Sequence, residues 1–180
     1  MPTYVALLRA VNVAGHARVP TAKLVQLLAY AGALDVASFG HAGNLRFTAR
    51  SGAVGIVARF RDALERRHGE RPVVVLRTAA DFAALTSAQP FADCGAAQSD
   101  KLYVTFLARK PRVQPSLPLV SAAERLTVLE CRGRDVLLKS VRKPNGFYGL
   151  PNAFVETAFG VPATTRNWST VTRLAKLLAS

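Results

Sequence analysis

The densest potential for chemistry in this chain lies near its C-terminus, where Asn152 is followed by the consecutive residues Thr164, Thr165, Arg166, Asn167 and Trp168. Arginine offers a planar fork of donors suited to carboxylate or phosphate. Threonine and asparagine add neutral donors and acceptors, and the indole gives a face on which a ring can stack. These types suit recognition of a ligand better than the breaking of a bond. Downstream, Val171, Leu174, Ala175 and Leu178 follow the i, i+3, i+4, i+7 rule of an amphipathic helix. The first N–H groups of such a helix lack intrahelical partners, so the polar run either caps them or, with Arg166, holds an anion there. The alternative is structural: a capped helix with Trp168 in the core and Arg166 paired to an acid such as Glu156.

A second group combines Asn12 and His16, after the first strand, with His41, Gly43 and Asn44 between two later strands. A histidine titrates near neutrality and could serve there as a general base if the two loops meet. The plain alternative for His41 is a turn residue on the surface.

Other chemistries lose their usual sequence signals. The chain has no glycine-rich dinucleotide or phosphate loop and no serine nucleophile elbow. His16, His41 and His68 are not spaced as helix-borne metal ligands, and no carboxylate pair stands beside them, so neither a metal site nor a cofactor is expected. Cys94 and Cys131 are too few for a disulfide framework, and Cys131 alternates with Thr127 and Leu129 as an inward-facing strand residue would.

The chain has 180 residues, half of them apolar, which is enough for one sizeable domain or two small ones with a packed core. No apolar run is long enough for a membrane span and the start lacks a signal-type segment, so a soluble cytoplasmic protein is expected. Its formal net charge is +13. That field favours nucleotides, nucleic acids and phosphorylated small molecules. The basic residues are nevertheless spread along the chain, as on a solvated basic surface.

The elements that must position these residues can be read from periodicity. Tyr4–Val11 reads as a strand, Leu24, Leu27, Leu28 and Ala31 as the stripe of a helix, and Val36–Phe39 and Leu45–Thr48 as two strands. A helix over Ala53–Arg67, with Asp62 and Arg66 one turn apart as a surface pair, precedes a strand at Val73–Leu76. The order is βαββαβ, the ferredoxin-like pattern, with a short helix around Phe82 and Leu85 after it. A second half opens on Tyr103-Val104-Thr105-Phe106-Leu107, an echo of Tyr4-Val5-Ala6-Leu7-Leu8. It continues with a hairpin of Thr127–Arg132 and Asp135–Ser140 around Gly133, a long loop from Lys143 to Pro151, and a helix from near Asn152. Three prolines between Pro111 and Leu119 make it an irregular copy. The expectation is an α+β chain of two ferredoxin-like (βαββαβ-type) halves, the second irregular, over residues 1–90 and 100–180.

Five segments, Leu8-Arg9-Ala10-Val11-Asn12-Val13-Ala14-Gly15, Ala42-Gly43-Asn44, Gln89-Pro90-Phe91, Val104-Thr105-Phe106-Leu107 and Ala163 to Val171, together resemble domain-of-unknown-function family 1697. The resemblance implies a soluble bacterial protein of two ferredoxin-like halves and no particular activity. Ala10 and Ala14 stand where that family has glycines, and His41-Ala42-Gly43-Asn44 where it tends to read Gln-Ser-Gly-Asn. The functional expectation is a non-catalytic binding module, monomeric or weakly dimeric, for a nucleotide, nucleic acid or phosphorylated small molecule, without membrane association. Its candidate ligand-binding residues are Asn12, His41, Asn44, Asn152, Thr164, Thr165, Arg166, Asn167 and Trp168. The alternatives are a small-molecule transferase or hydrolase with a histidine acid/base, and a structural or protein-interaction domain.

Overall fold

The structure is a computed structural model that describes residues 1–9, 19–40, 43–69 and 71–179. It divides into two units: Met1–Phe82 with the chain end from Leu178, and Ala83–Leu177.

The first unit runs β1 (Thr3–Leu8), α1 (Thr21–Tyr30), β2 (Leu34–Phe39), β3 (Asn44–Thr48), α2 (Ala53–His68) and β4 (Val74–Thr78). Its four strands are ordered β2-β3-β1-β4, and every pairing is antiparallel. This is the ferredoxin-like arrangement expected from the element order. Strand alternation sends Ala6, Leu8, Leu45 and Phe47 to one face, where they meet Leu24, Leu27 and Leu28 of α1 and Ile56, Phe60 and Leu64 of α2 in one core. Val5 and Leu7, on the opposite face of β1, are equally buried. Both faces of this central strand are therefore apolar, which is why it reads as a continuous hydrophobic run.

Two side-chain contacts differ from expectation or add to it. Asp62 pairs with Arg71 at 2.7 Å, beyond the helix end, rather than with Arg66 one turn away. Both partners are half-exposed, so the bridge contributes roughly 0–1 kcal/mol. Arg59 of α2 donates from Nε (3.0 Å) and Nη2 (2.8 Å) to the Ala31 carbonyl oxygen, tying the end of α1 to α2.

The second unit carries α3 (Ala79–Ser87, which begins in the first), β5 (Lys101–Leu107), β6 (Leu119–Ser121), β7 (Leu126–Arg132), β8 (Asp135–Ser140), α4 (Pro151–Phe159), β9 (Ala163–Asn167) and α5 (Trp168–Ala179). Its sheet is ordered β6-β7-β8-β5-β9. Without β6 this is the first unit's order again: β7, β8, β5 and β9 take the places of β2, β3, β1 and β4, and α4 that of α2. Where the first unit has α1, the second has the proline-rich segment and the short edge strand β6, since proline breaks a helix interior. Val128, Val136, Leu138 and Ala163 pack with Val155 and Phe159 of α4 in this unit's core.

The C-terminal polar run is the largest departure from the sequence reading. Ala163–Asn167 is an edge strand antiparallel to β5, and the helix starts at Trp168. Two adjacent β-branched threonines favour the extended conformation, and β5 pairs with the run along one edge.

The loop from Val141 to Leu150 is fixed by a close approach. A Cβ on Gly149 would overlap the Glu124 carbonyl oxygen, while one on Gly133, at φ 63° in the β7–β8 turn, would meet nothing within 4 Å. Gly149→Ala is expected to lower stability by about 1–3 kcal/mol through overpacking. Gly133→Ala should cost only about 1 kcal/mol for its left-handed backbone. Urea unfolding midpoints of the two variants check the order.

Candidate functional site

β9 fixes where each residue of the C-terminal cluster goes. Arg166 lies opposite Val104 and Thr164 opposite Phe106, so these side chains share one face of the sheet. Thr165 lies opposite Thr105, and Asn167 opposite Tyr103, on the face that α4 covers. The period of two thus splits a cluster that was read as one site.

On the α4 face, the Thr165 hydroxyl donates to Asn152 Oδ1 at 2.6 Å and shares a hydrogen bond with the Thr105 hydroxyl at 2.7 Å. Asn152 stands in the first turn of α4, so this chain of polar contacts fastens the helix start to the sheet. Glu156, the example acid of the structural alternative for Arg166, accepts the Ala163 backbone N–H at 2.7 Å.

On the other face, Arg166 is 7% exposed, and its Nη1 donates to the Thr164 hydroxyl and to the Thr165 carbonyl oxygen, both at 2.8 Å. Burial pushes the guanidinium down to about 10. It is therefore still charged at neutral pH, and its Nη1 serves two of the protein's own acceptors. Arg166 is thus buried and braces β9 through Thr164 and Thr165.

Trp168, at the start of α5, is partly exposed. Phe91 holds the indole edge-on, with ring centroids 5.2 Å apart and planes at 70°. The two rings and Leu102 wall a recess of about 420 Å³ that is completed by Ala92, Thr86, Gln89 and Thr172. Its size falls within the usual range of small-molecule sites. None of these lining side chains is ionisable, and their polar groups are the hydroxyls of Thr86 and Thr172, the amide of Gln89 and the indole N–H of Trp168.

Asn44, on β3 of the first unit, is 2% exposed, and its Nδ2 donates to the Phe39 carbonyl oxygen at 3.1 Å across the β2–β3 hairpin. That contact is a structural tie. Asn12, His16 and His41 lie outside the described residues. Among the described residues, no group of three or more His, Cys, Asp or Glu side chains is placed to hold a metal ion. Burial first, then Asp135 and Glu130, push the Cys131 thiol up, away from the reactive thiolate form.

Sequence reasoning missed Phe91, Leu102, Thr86 and Gln89 as partners of Trp168. One signal was available, because Thr172 stands four residues after Trp168 and so shares its face of the helix.

No helix among the described residues is long and apolar enough to cross a membrane. No curated protein matches the chain. Among solved structures, a conserved bacterial protein from Streptococcus pneumoniae is similar, with a TM-score of 0.65 and 18% identity over 98% of each chain. That likeness shows the shared α+β fold. The family described as protein of unknown function (DUF1697) matches residues 1–136, so the C-terminal Ala-Thr-Thr-Arg-Asn-Trp lies beyond the matched stretch. A match over that much of the sequence makes this chain a member of the DUF1697 family.

Proposed function

We propose that the protein is a non-catalytic binding module for an anionic ligand that carries a planar ring, with nucleotides as the leading class, and that Trp168 receives the ring. The observation that carries this reading is the recess of the second unit, with its aromatic walls, its neutral donors Thr86, Gln89 and Thr172, and its lack of an ionisable lining side chain. A planar ring gains by stacking and by desolvation in such a recess. General acid–base chemistry would need a titratable group within hydrogen-bond reach, and no side chain of the lining could act as a base to activate the Thr86 or Thr172 hydroxyl. The net charge of +13 favours a ligand of negative sign.

Trp168 is the sole tryptophan of the chain, so its own fluorescence reports on occupancy. Titration with purine and pyrimidine monophosphates should shift that emission saturably, while inorganic phosphate alone should leave it unchanged. By calorimetry, Trp168→Ala is expected to lose at least about ten-fold in affinity and Trp168→Phe to keep most of it. Absence of any saturable response across the nucleotide panel would sink the reading.

Arg166 has a different expected role. Arg166→Ala should lower the urea unfolding free energy by about 2–4 kcal/mol, because it removes a buried hydrogen-bonded group. The fraction that remains folded should bind nucleotide with unchanged affinity. A loss of affinity without loss of stability would instead return Arg166 to the ligand.

A further inference from the structure

Separate from the Trp168 recess, we propose that the loop Val141–Leu150 of the second unit is a binding surface for single-stranded nucleic acid, with Phe147 as the stacking platform and Arg125, Arg142 and Lys101 as phosphate contacts. The loop has no regular secondary structure, yet it is held in place throughout. Val141 N donates to Arg125 O (3.0 Å), Lys143 N to Phe147 O (2.8 Å) and Gly146 N to Lys143 O (2.9 Å). The Asn145 side chain accepts from Phe147 N at 3.1 Å. Glu124 clamps both ends of the turn, accepting from Lys143 Nζ at 2.9 Å and from Leu150 N at 3.2 Å. Gly149 packs directly on the Glu124 backbone.

A loop fixed to this degree normally turns its large apolar side chains inward. This one leaves Phe147 72% exposed. The ring is thus displayed on a preorganised support, so little conformational entropy is lost when a base stacks on it.

Exposed cations are held on the loop itself and on the strands that support it. The Arg142 guanidinium donates from Nε to Gly146 O at 3.0 Å, beside Phe147, and Arg125 Nη1 reaches the Arg142 carbonyl oxygen at 2.6 Å. Arg125, Arg142 and Lys101 are exposed. Lys101 Nζ stands 4.3 Å from the centre of the Tyr148 ring, the residue next to Phe147. The Glu124 carboxylate is engaged by Lys143 and the loop backbone, so the exposed Arg125 and Arg142 leave the loop with a positive surface. A flexible chain with a phosphate at each step and an unstacked base between matches that alternation of charge and ring. A duplex, whose bases are already stacked, offers the phosphates without the ring faces.

Fluorescence anisotropy with labelled ten-nucleotide oligo(dT) and oligo(U), and with a duplex of the same length, tests the proposal in the full chain over a range of salt concentrations. The single strands are expected to bind more tightly than the duplex. Phe147→Ala should lower single-strand affinity about ten-fold while leaving the salt dependence as it was. Arg142→Gln should instead flatten the slope of log affinity against log salt by about 0.7, the loss of one phosphate contact. Trp168→Ala should bind the oligonucleotides like the parent protein. Thermal unfolding of Phe147→Ala should match the parent, since the ring packs little in the folded state. Failure to bind single strands at low salt, equal affinity for duplex and single strand, or a Phe147→Ala variant that binds as the parent does would each overturn the proposal.

Discussion

Among the described residues β9 has one strand neighbour, β5, and that pairing decides the character of the C-terminal part of the second unit. Because Thr165 faces Thr105 and Arg166 faces Val104, the side chains of β9 are divided between two environments before any ligand is considered. One set is spent on fastening α4 through Asn152, and the other on bracing the strand through Thr164 and Arg166. What β9 delivers to solvent comes at its end, where the strand passes straight into α5 and Trp168 emerges against Phe91. Polar residues upstream of the indole are thus the scaffold of the recess more than its lining.

The two units show how one strand order tolerates different connections. In the first, the β1-to-β2 connection contains a helix whose Leu24, Leu27 and Leu28 fill one side of the core. In the second, the β5-to-β7 connection carries Pro111, Pro115 and Pro118, and it adds β6 to the outer edge of the sheet. The central strand is indifferent to this change, because β5 is held by β8 on one side and β9 on the other, as β1 is held by β3 and β4. Its run buried on both faces, with Val104 and Phe106 on one and Thr105 and Leu107 on the other, is what the Tyr-Val-x-x-Leu echo encodes.

Elements built on apolar periodicity were legible in the sequence, and those built on polar pairing were not. The stripe of Ile56, Val57, Phe60 and Leu64 marks α2, and Gly133 between two alternating runs marks the β7–β8 hairpin. β9 has no such signature: Ala-Thr-Thr-Arg-Asn lacks an apolar alternation, and no turn residue separates it from the helix that follows. Its identity as a strand comes from β5, more than fifty residues upstream. The recess was hidden for the same reason, since Phe91 and Leu102 approach Trp168 only after the sheet has formed. Asp62 illustrates the limit of local rules from the other direction, because its nearest helical cation at Arg66 loses to Arg71, which the chain returns past the helix end.

Arginine usage links these observations to the charge of the chain. Arg59 donates to the Ala31 carbonyl, Arg61 to Pro72, Arg109 to Gly160, Arg125 to Arg142, Arg142 to Gly146 and Arg166 to Thr165. Several of these carbonyls lie at helix ends or in irregular segments, where no regular ladder supplies an N–H. A guanidinium has five donors and suits that task better than an ammonium, because it can satisfy a carbonyl and still direct other N–H groups elsewhere. The charge of +13 is therefore partly a by-product of main-chain satisfaction. Its sign favours anions in general without locating a site, so recognition must be argued where ring faces are displayed, at Trp168 and at Phe147.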